Sequence, residues 1–345
     1  MNLLRKILYP FSLLYGIITS FRNYLYNATI LKSTKFKTPT IVVGNLSVGG
    51  TGKTPQIEYL IRLLQDTYKV AVLSRGYKRK SKGFIIADEH ATSEIIGDEP
   101  FQYYKKYPKI IVCVDADRTN GIQQLEALEN PPEVILLDDA FQHRKVKVGF
   151  NILLTSYNDL YVNDSMLPTG NLREYKSGAK RAQVIIVTKC PDTISENEKI
   201  SIIEKLQATS NQQVFFTTIE YDKKLKGDSI VNLSDFKNET VLLVTGIANS
   251  TPLEEYLTTE KIKFKHLKYP DHYHFKDQDI AQIKKEFDLL RSNNKIVLTT
   301  EKDYVRIFVR LQNLRYISIQ AKFVAEKINF DKIIKKYVER SSRDS

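Results

Sequence analysis

Residues 44–55 read GNLSVGGTGKTP; they follow an apolar run at residues 40–43 and precede Ile57, Leu60, Ile61 and Leu64 at helical spacing. A glycine-rich bend between a buried strand and an amphipathic helix is the setting in which backbone amides cradle phosphate. Gly49, Gly50 and Gly52 let the chain curl so that the N–H groups around Ser47, Val48 and Thr51 point inward. The dipole of the next helix adds positive potential there. Lys53 is then placed to reach the β- and γ-phosphates of a nucleoside triphosphate, and the Thr54 hydroxyl to ligate Mg²⁺. One position departs from G-x-x-x-x-G-K-S/T, because Ser47 stands where the first glycine belongs. A glycine-rich turn without a ligand would account for the bend but not for its flanks.

Short apolar runs recur at residues 70–73, 110–114, 134–137, 152–154 and 184–187, separated by helix-length segments. That alternation predicts a parallel sheet covered on both faces. After a polar stretch at residues 221–229 it restarts at 241–245, 264–267, 296–299 and 316–319. At 345 residues, 42% of them hydrophobic, the chain exceeds one ordinary domain. The expected fold class is α/β: a P-loop NTPase-type parallel-sheet domain over 36–220 and a second, smaller α/β domain over 221–345, preceded by an N-terminal arm over 1–35. The tail beyond Val338 reads as frayed. Cys113 and Cys190 make neither a disulfide framework nor a metal-ligand spacing, which points to a reducing compartment.

The formal charge of +12 implies an anionic partner, and its distribution narrows the choice. No Asp or Glu precedes Glu58, whereas Arg5, Lys6, Arg22, Lys32, Lys35 and Lys37 fall in the first forty residues. The same arm carries Leu3, Leu4, Ile7, Leu8, Phe11, Leu14, Ile18, Phe21 and Tyr24. Its uncharged run, residues 7–21, is shorter than the roughly 20 residues needed to cross a bilayer, and Pro10 and Gly16 interrupt it. A helix from Pro10 to about residue 26 lying in the membrane interface is the reading, with a helix docked on the core as the alternative. A secretory signal is disfavoured because no A-x-A site follows. Charge concentrated on an apolar arm is unsuited to reading bases, so no nucleic-acid partner is expected.

The apolar run at residues 134–137 ends in Asp138 and Asp139, and either carboxylate is expected to hold the metal through its shell. His143 orients one of these acids or satisfies a turn. Asp98 and Glu99 sit in a turn bounded by Gly97 and Pro100; a carboxylate at the sheet's ligand end can accept a hydroxyl proton during phosphoryl transfer, though acidic turns are usually solvated. Asp271 and His272 lie in the polar-aromatic stretch 269–275, which suits proton management, phosphate contact or a structural turn. Arg75, Lys78, Arg79, Lys80 and Lys82 gather after the second strand, with Arg118 and Arg173 further on, to grip phosphate or form a solvated face. Guanine reading is disfavoured because Asp192 of TKCPD (188–192) comes one residue too late, and a dimerising division-type ATPase needs a lysine where Val48 stands.

Taken in order, GNLSVGGTGKTP, LSRGY (73–77), GDEP (97–100), DADR (115–118), LLDDAFQH (136–143), LPTGNLRE (167–174), PDHYHF (270–275) and TEKD (300–303) resemble the landmarks of the lipid A 4′-kinases (tetraacyldisaccharide 4′-kinases). Ser47 is itself similar to that family's loop, whereas Ala140 stands where many members have glycine. The resemblance implies ATP- and Mg²⁺-dependent phosphorylation of the 4′-hydroxyl of a tetraacylated glucosamine disaccharide 1-phosphate. It implies work at the cytoplasmic face of a Gram-negative inner membrane, with no protein partner expected. By the same matching Asp98 resembles the base, with Glu99 beside it and His272 acting from across the cleft. Asp138 and Asp139 resemble metal and water ligands, His143 a nearby support, and Arg118, Arg173 and Glu174 substrate or phosphate contacts. The implied fold is two α/β/α domains with the site in the hinge cleft, the second closing over it, and a hydrophobic N-terminal helix. The other class kept open is a membrane-associated P-loop ATPase switch without a lipid acceptor.

Overall fold

The computed structural model describes residues 5, 7–291, 294–307 and 311–343; Leu3, Leu4 and Lys6 of the arm lie outside them. The first strands in the chain are β1 (Thr40–Asn45), β2 (Val70–Ser74), β3 (Ile85–Ile86), β4 (Ile111–Val114), β5 (Val134–Asp138), β6 (Phe150–Ser156), β7 (Val184–Thr188) and β8 (Gln213–Tyr221). Those that follow are β9 (Lys224–Gly227), β10 (Val231–Asn232), β11 (Thr240–Thr245), β12 (Lys263–Lys268), β13 (Val297–Thr300), β14 (Leu314–Ile317) and β15 (Ile319–Phe323). Among the described residues they form a nine-stranded sheet in the order β15-β8-β7-β6-β1-β5-β2-β4-β3 and a six-stranded sheet in the order β10-β9-β14-β13-β11-β12.

β1 lies at the centre of the first sheet, parallel to β5 on one side and β6 on the other. Ile41 and Val43 enter one core layer and Val42 the opposite one, so both faces are buried and the strand reads as an unbroken apolar run. Val43 pairs with Asp138, and Leu73 of β2 with Leu137. The loop after β1, the acids after β5 and Ser74 therefore emerge together at the carboxyl edge, where ligands of open parallel sheets bind. In the second sheet β11 runs parallel to β12 and β13. Leu253 and Leu257 of helix α7 (Thr251–Thr259) cover one face, and Ile280 and Ile283 of α8 (Asp277–Asp288) cover the other.

The preceding helices are α1 (Tyr9–Asn27), α2 (Lys53–Leu64), α3 (Ser93–Ile96), α4 (Asp98–Lys106), α5 (Arg118–Glu126) and α6 (Glu196–Leu206); α9 (Glu301–Ile307) and α10 (Lys327–Arg343) close the chain. Three features of the fold differ from expectation. Asp98 and Glu99 open α4 instead of standing in a loop, since proline is tolerated in a first helical turn and carboxylates there are favoured by the dipole. The run 316–319 is not one strand: Ser318 divides β14 from β15, and the chain crosses there from the second sheet back to the first. β15 pairs antiparallel with β8, and α10 drives Phe330, Ile334 and Val338 into the core that holds Ile57 and Leu60 of α2. Residues 319–343 thus pack with the first sheet although the sequence groups them with 221–345, and the tail is helical through Arg343 instead of frayed.

Phe330 is fully buried, with ring centroids 4.6 Å from Phe323 and 5.4 Å from Phe215. Phe330→Ala is expected to cost about 3–5 kcal/mol of stability, read as a lowered denaturation midpoint. An unchanged midpoint would mean that α10 is not part of the first core.

α1 docks through its small and polar side. Ser12 Oγ donates to Thr169 Oγ1 at 2.6 Å, Tyr15 OH to the Arg173 carbonyl at 3.0 Å and Asn23 Nδ2 to Glu174 Oε2 at 2.9 Å. Gly16 lets the helix approach the Tyr175 ring closely; a Cβ there would lie 2.4 Å from the Tyr175 hydroxyl, and the exposed ring would have to move aside. The opposite face is apolar and open, with Phe11 63% and Phe21 61% exposed beside Leu14, Ile17 and Ile18. Among the described residues no helix is long and apolar enough to cross a membrane.

Candidate active site

The bend between β1 and α2 is built from positive-φ glycines, Gly49 at +113° and Gly52 at +83°. Its carbonyls are engaged from outside. Asn45 Nδ2 donates to the Ser47 carbonyl at 2.5 Å, Lys189 Nζ to that of Gly50 at 2.6 Å, and Thr188 Oγ1 to that of Thr51 at 2.8 Å. The Val48 amide already donates to the Asn171 carbonyl at 2.8 Å and the Thr51 amide to that of Gly49 at 3.2 Å, so the loop amides left to form an anion-binding nest are those of Gly49, Gly50, Gly52, Lys53 and Thr54. A Cβ on Gly49 would meet nothing within 4 Å, and Thr51 Oγ1 is buried without a hydrogen-bond partner among the described residues. An open cradle with an unanswered hydroxyl fits a phosphate chain. Lys53, first residue of α2, holds its ammonium 3.3 Å from Asn45 Oδ1 and 3.7 Å from Asp139 Oδ1.

The two carboxylates after β5 sit in opposite environments. Asp139, at φ +48°, is raised by burial, but Lys53 and Arg173 more than offset this and hold it below the usual range. Arg173 Nη1 reaches both of its oxygens, at 3.0 and 3.1 Å. Asp138 is pushed up to about 7 by burial and then by the charges of Asp139 and Glu99, against the charge of Lys53 and one hydrogen bond from Ser74 Oγ at 3.2 Å. A buried acid whose positive neighbours do not offset its burial and the adjacent acids is what a divalent cation would neutralise. The oxygen donors Thr54, Asp138 and Asp139 suit Mg²⁺, which takes one or two carboxylates and completes its shell with phosphate and water. No cluster of three or more His, Cys, Asp or Glu able to hold a metal alone occurs among the described residues, and such a shell does not require one.

A second group of charges joins the two sheets. Asp98 Oδ2, at the start of α4, lies 3.2 Å from His272 Nδ1 in the loop after β12 and 2.6 Å from Arg306 Nη2 on α9. Burial raises Asp98, but Arg306 and then His272 outweigh it and hold its carboxyl below the ordinary value. Lys302 Nζ is 3.0 Å from His272 Nε2 and 3.5 Å from Glu99 Oε1, so Glu99 links this group to Asp138. The rings of Tyr269, Tyr273 and Phe275 pack on one another and present His272, which itself has φ +58°.

The remaining sequence candidates take more peripheral places. Arg118 is 3% exposed, and its fork braces the main-chain carbonyls of Asp115, Ala116 and Asp138. His143 turns toward Asp117, 3.7 Å away; burial, then Arg118, pulls it down to about 4, so it is uncharged at neutral pH. Glu174 accepts from Arg181, Gln142 and, on α1, Asn23, which ties the helix to the loop carrying Arg173. In the basic cluster Arg79 and Lys80 stabilise their own loop, whereas Arg75 is exposed at the end of β2 with no ion pair among the described residues. Arg306, Lys302 and Lys189 were not foreseen as site residues. TEKD marked the place, and continuing its helical spacing three positions from Asp303 leads to Arg306.

A family profile described as LpxK, tetraacyldisaccharide-1-P 4'-kinase, matches residues 4–339. A tetraacyldisaccharide 4'-kinase of Flavobacterium johnsoniae is 54% identical over 344 residues, covering 99% of each chain. One from Porphyromonas gingivalis is 39% identical over 96% of this chain and 97% of its own. The crystal structure of LpxK from Aquifex aeolicus in complex with ATP superposes with a TM-score of 0.78 at 34% identity, covering 97% of this chain and all of that one. An amide-lined loop with its lysine, an acid pair beside it and this agreement along nearly the whole length lead to one conclusion: the chain belongs to the tetraacyldisaccharide-1-P 4'-kinase family.

Proposed function

We propose that the protein transfers the γ-phosphoryl group of ATP to the 4′-hydroxyl of a tetraacylated glucosamine disaccharide 1-phosphate, forming the bisphosphorylated lipid A precursor at the cytoplasmic face of the bacterial inner membrane. The observation that carries this reading is the continuity of the charged cluster: Lys53 to Asp139 on the nucleotide side, Glu99 in between, and Asp98 with His272 on the far side. A phosphate cradle facing a carboxylate across one site is the arrangement that an alcohol acceptor needs.

In this mechanism residues 47–54 and Lys53 hold the phosphates, and Asp98 takes the acceptor's proton while His272 orients it. Thr54 with Asp138 and Asp139 would hold Mg²⁺, which when bound neutralises charge on the β- and γ-oxygens. Arg173 and the exposed Arg75 are placed to meet phosphate on the acceptor side. Residues 221–318 act as the moving part that excludes water from the site. α1 lies in the membrane interface, its apolar face in lipid, and through Asn23 and Glu174 it sets the Arg173 loop near the headgroup.

The test is incubation with ATP labelled at the γ position and the acylated disaccharide 1-phosphate in mixed micelles. A labelled lipid is expected; ATP hydrolysis with no labelled lipid would favour an ATPase switch. A second result concerns α1. Replacing Phe11, Ile18 and Phe21 by Asp keeps Ser12 and Asn23 and hence the docking. It is expected to weaken co-sedimentation with acidic vesicles by about 100-fold or more, given roughly 1.5–3 kcal/mol per buried apolar side chain, with KM for ATP unchanged. Undiminished sedimentation would make the exposed face incidental.

A further inference from the structure

Three nitrogens converge on a single oxygen of Asp98. Arg306 Nε and Nη2 lie 3.0 and 2.6 Å from Oδ2, and His272 Nδ1 lies 3.2 Å from the same atom. Among the described residues no donor reaches Oδ1. The Arg306 side chain is only 4% exposed, and its remaining nitrogen is tied to Asp303 Oδ1 at 3.0 Å and the Gly246 carbonyl at 3.3 Å. Asp303 is fully buried and held in turn by the Gly246 amide at 2.9 Å and Thr300 Oγ1 at 2.8 Å. The guanidinium is thus clamped by the ends of β11 and β13 on one side while it grips an acid of the other sheet.

We infer that Arg306 is a positioning residue for phosphoryl transfer: by occupying Oδ2 it fixes the Asp98 carboxylate with Oδ1 left free for the acceptor alcohol. This rests on the reading of Asp98 as the base. The alcohol oxygen bonds to the γ-phosphorus, the bond from that phosphorus to the bridging oxygen breaks, and ADP departs with the electron pair. The hydroxyl proton passes to Oδ1. An arginine beside a base makes it less basic, which is tolerable in a loose transition state, where orientation counts for more than driving force. Lysine cannot replace it, because one planar group must meet Asp98, Asp303 and a carbonyl at once. The other charges near Asp98 are His272, Lys302 at the far nitrogen of that ring, Glu99 and Asp271 on Lys302, and Asp303 behind the guanidinium.

The test compares wild type, Arg306→Ala, Arg306→Lys and Asp98→Asn as full-length proteins, by kcat, KM for ATP and the pH dependence of kcat, with thermal unfolding as a folding control. Both Arg306 variants are expected to lose about 30- to 100-fold in kcat, the scale of a misplaced reacting group, with KM for ATP within about twofold. The acid limb of kcat follows deprotonation of Asp98, which Arg306 holds low. In Arg306→Ala the limb moves to higher pH; in Arg306→Lys it stays near the wild-type position while kcat remains reduced. Wild-type turnover in either variant, or a lower kcat with an unmoved limb in Arg306→Ala, overturns the assignment. If Arg306→Ala does not fold, Arg306→Lys decides: full kcat in that variant also overturns it. Asp98→Asn at wild-type rate would reject the base itself, whereas an inactive Asp98→Asn beside a fully active Arg306→Ala rejects only the arginine.

Discussion

Asp98→Asn is expected to lower kcat by about 100-fold to 10,000-fold, the range assigned to a positioned general base. The change is nearly isosteric, and the side-chain oxygen can still accept from Arg306 and His272, so the joint between the two sheets survives. What is lost is the capacity to take a proton. Asp98 touches neither the loop at residues 47–54 nor Lys53, so KM for ATP is expected to stay within about twofold. Steady-state kinetics with both substrates varied checks this. A variant that keeps most of its kcat removes Asp98 from proton transfer, and one that fails only in ATP binding relocates it to the nucleotide side.

Lys53→Ala is the second large effect. The ammonium stands between Asn45 and Asp139, where the triphosphate's charge is to be met in a partly buried setting, with the Lys53 side chain 17% exposed. Removing one such preorganised charge costs about 100-fold to 1,000-fold in kcat, and here it weakens ATP binding too. Folding is expected to change little, by at most about 1 kcal/mol, because Arg173 still pairs with Asp139 and the lysine's own ion pair is long. ATP-dependent thermal shift together with single-turnover rates separates the two. Wild-type thermal stabilisation by ATP in this variant would show that the phosphates are held elsewhere.

The parts of the molecule that follow from local pattern were legible in the sequence. A strand, a glycine bend and a helix at residues 40–64 form one local unit whose chemistry is written in order, and the acids after β5 end an apolar run that admits only a buried strand. β8 was missed because Thr217 and Thr218 cut its apolar residues into 214–216 and an isolated Ile219; pairing with β7 and β15 makes them one strand. The return of β15 and α10 to the first sheet was hidden for a different reason. Ser318 is a lone polar residue between Ile317 and Ile319, and pairing with a strand about a hundred residues earlier leaves no local trace. The same holds for Arg306, whose contact with Asp98 spans 208 positions. GDEP was misread as a loop because glycine and proline punctuate turns and helix starts alike. The apolar face that α1 leaves exposed was visible in the sequence, but its docking through Ser12 and Asn23 depends on a loop more than a hundred residues away.

The central claim is that the loop after β1 and the carboxylate at the start of α4 act on one phosphoryl group. A crystal structure of the full-length protein with a non-hydrolysable ATP analogue and the acylated disaccharide 1-phosphate tests it most directly. The account predicts the γ-phosphate on the free amides of the loop at residues 47–54 and the acceptor 4′-hydroxyl within roughly 2.6–3.2 Å of an Asp98 oxygen. Phosphates bound away from that loop, or an acceptor hydroxyl out of reach of Asp98 with the γ-phosphate in place, would contradict it.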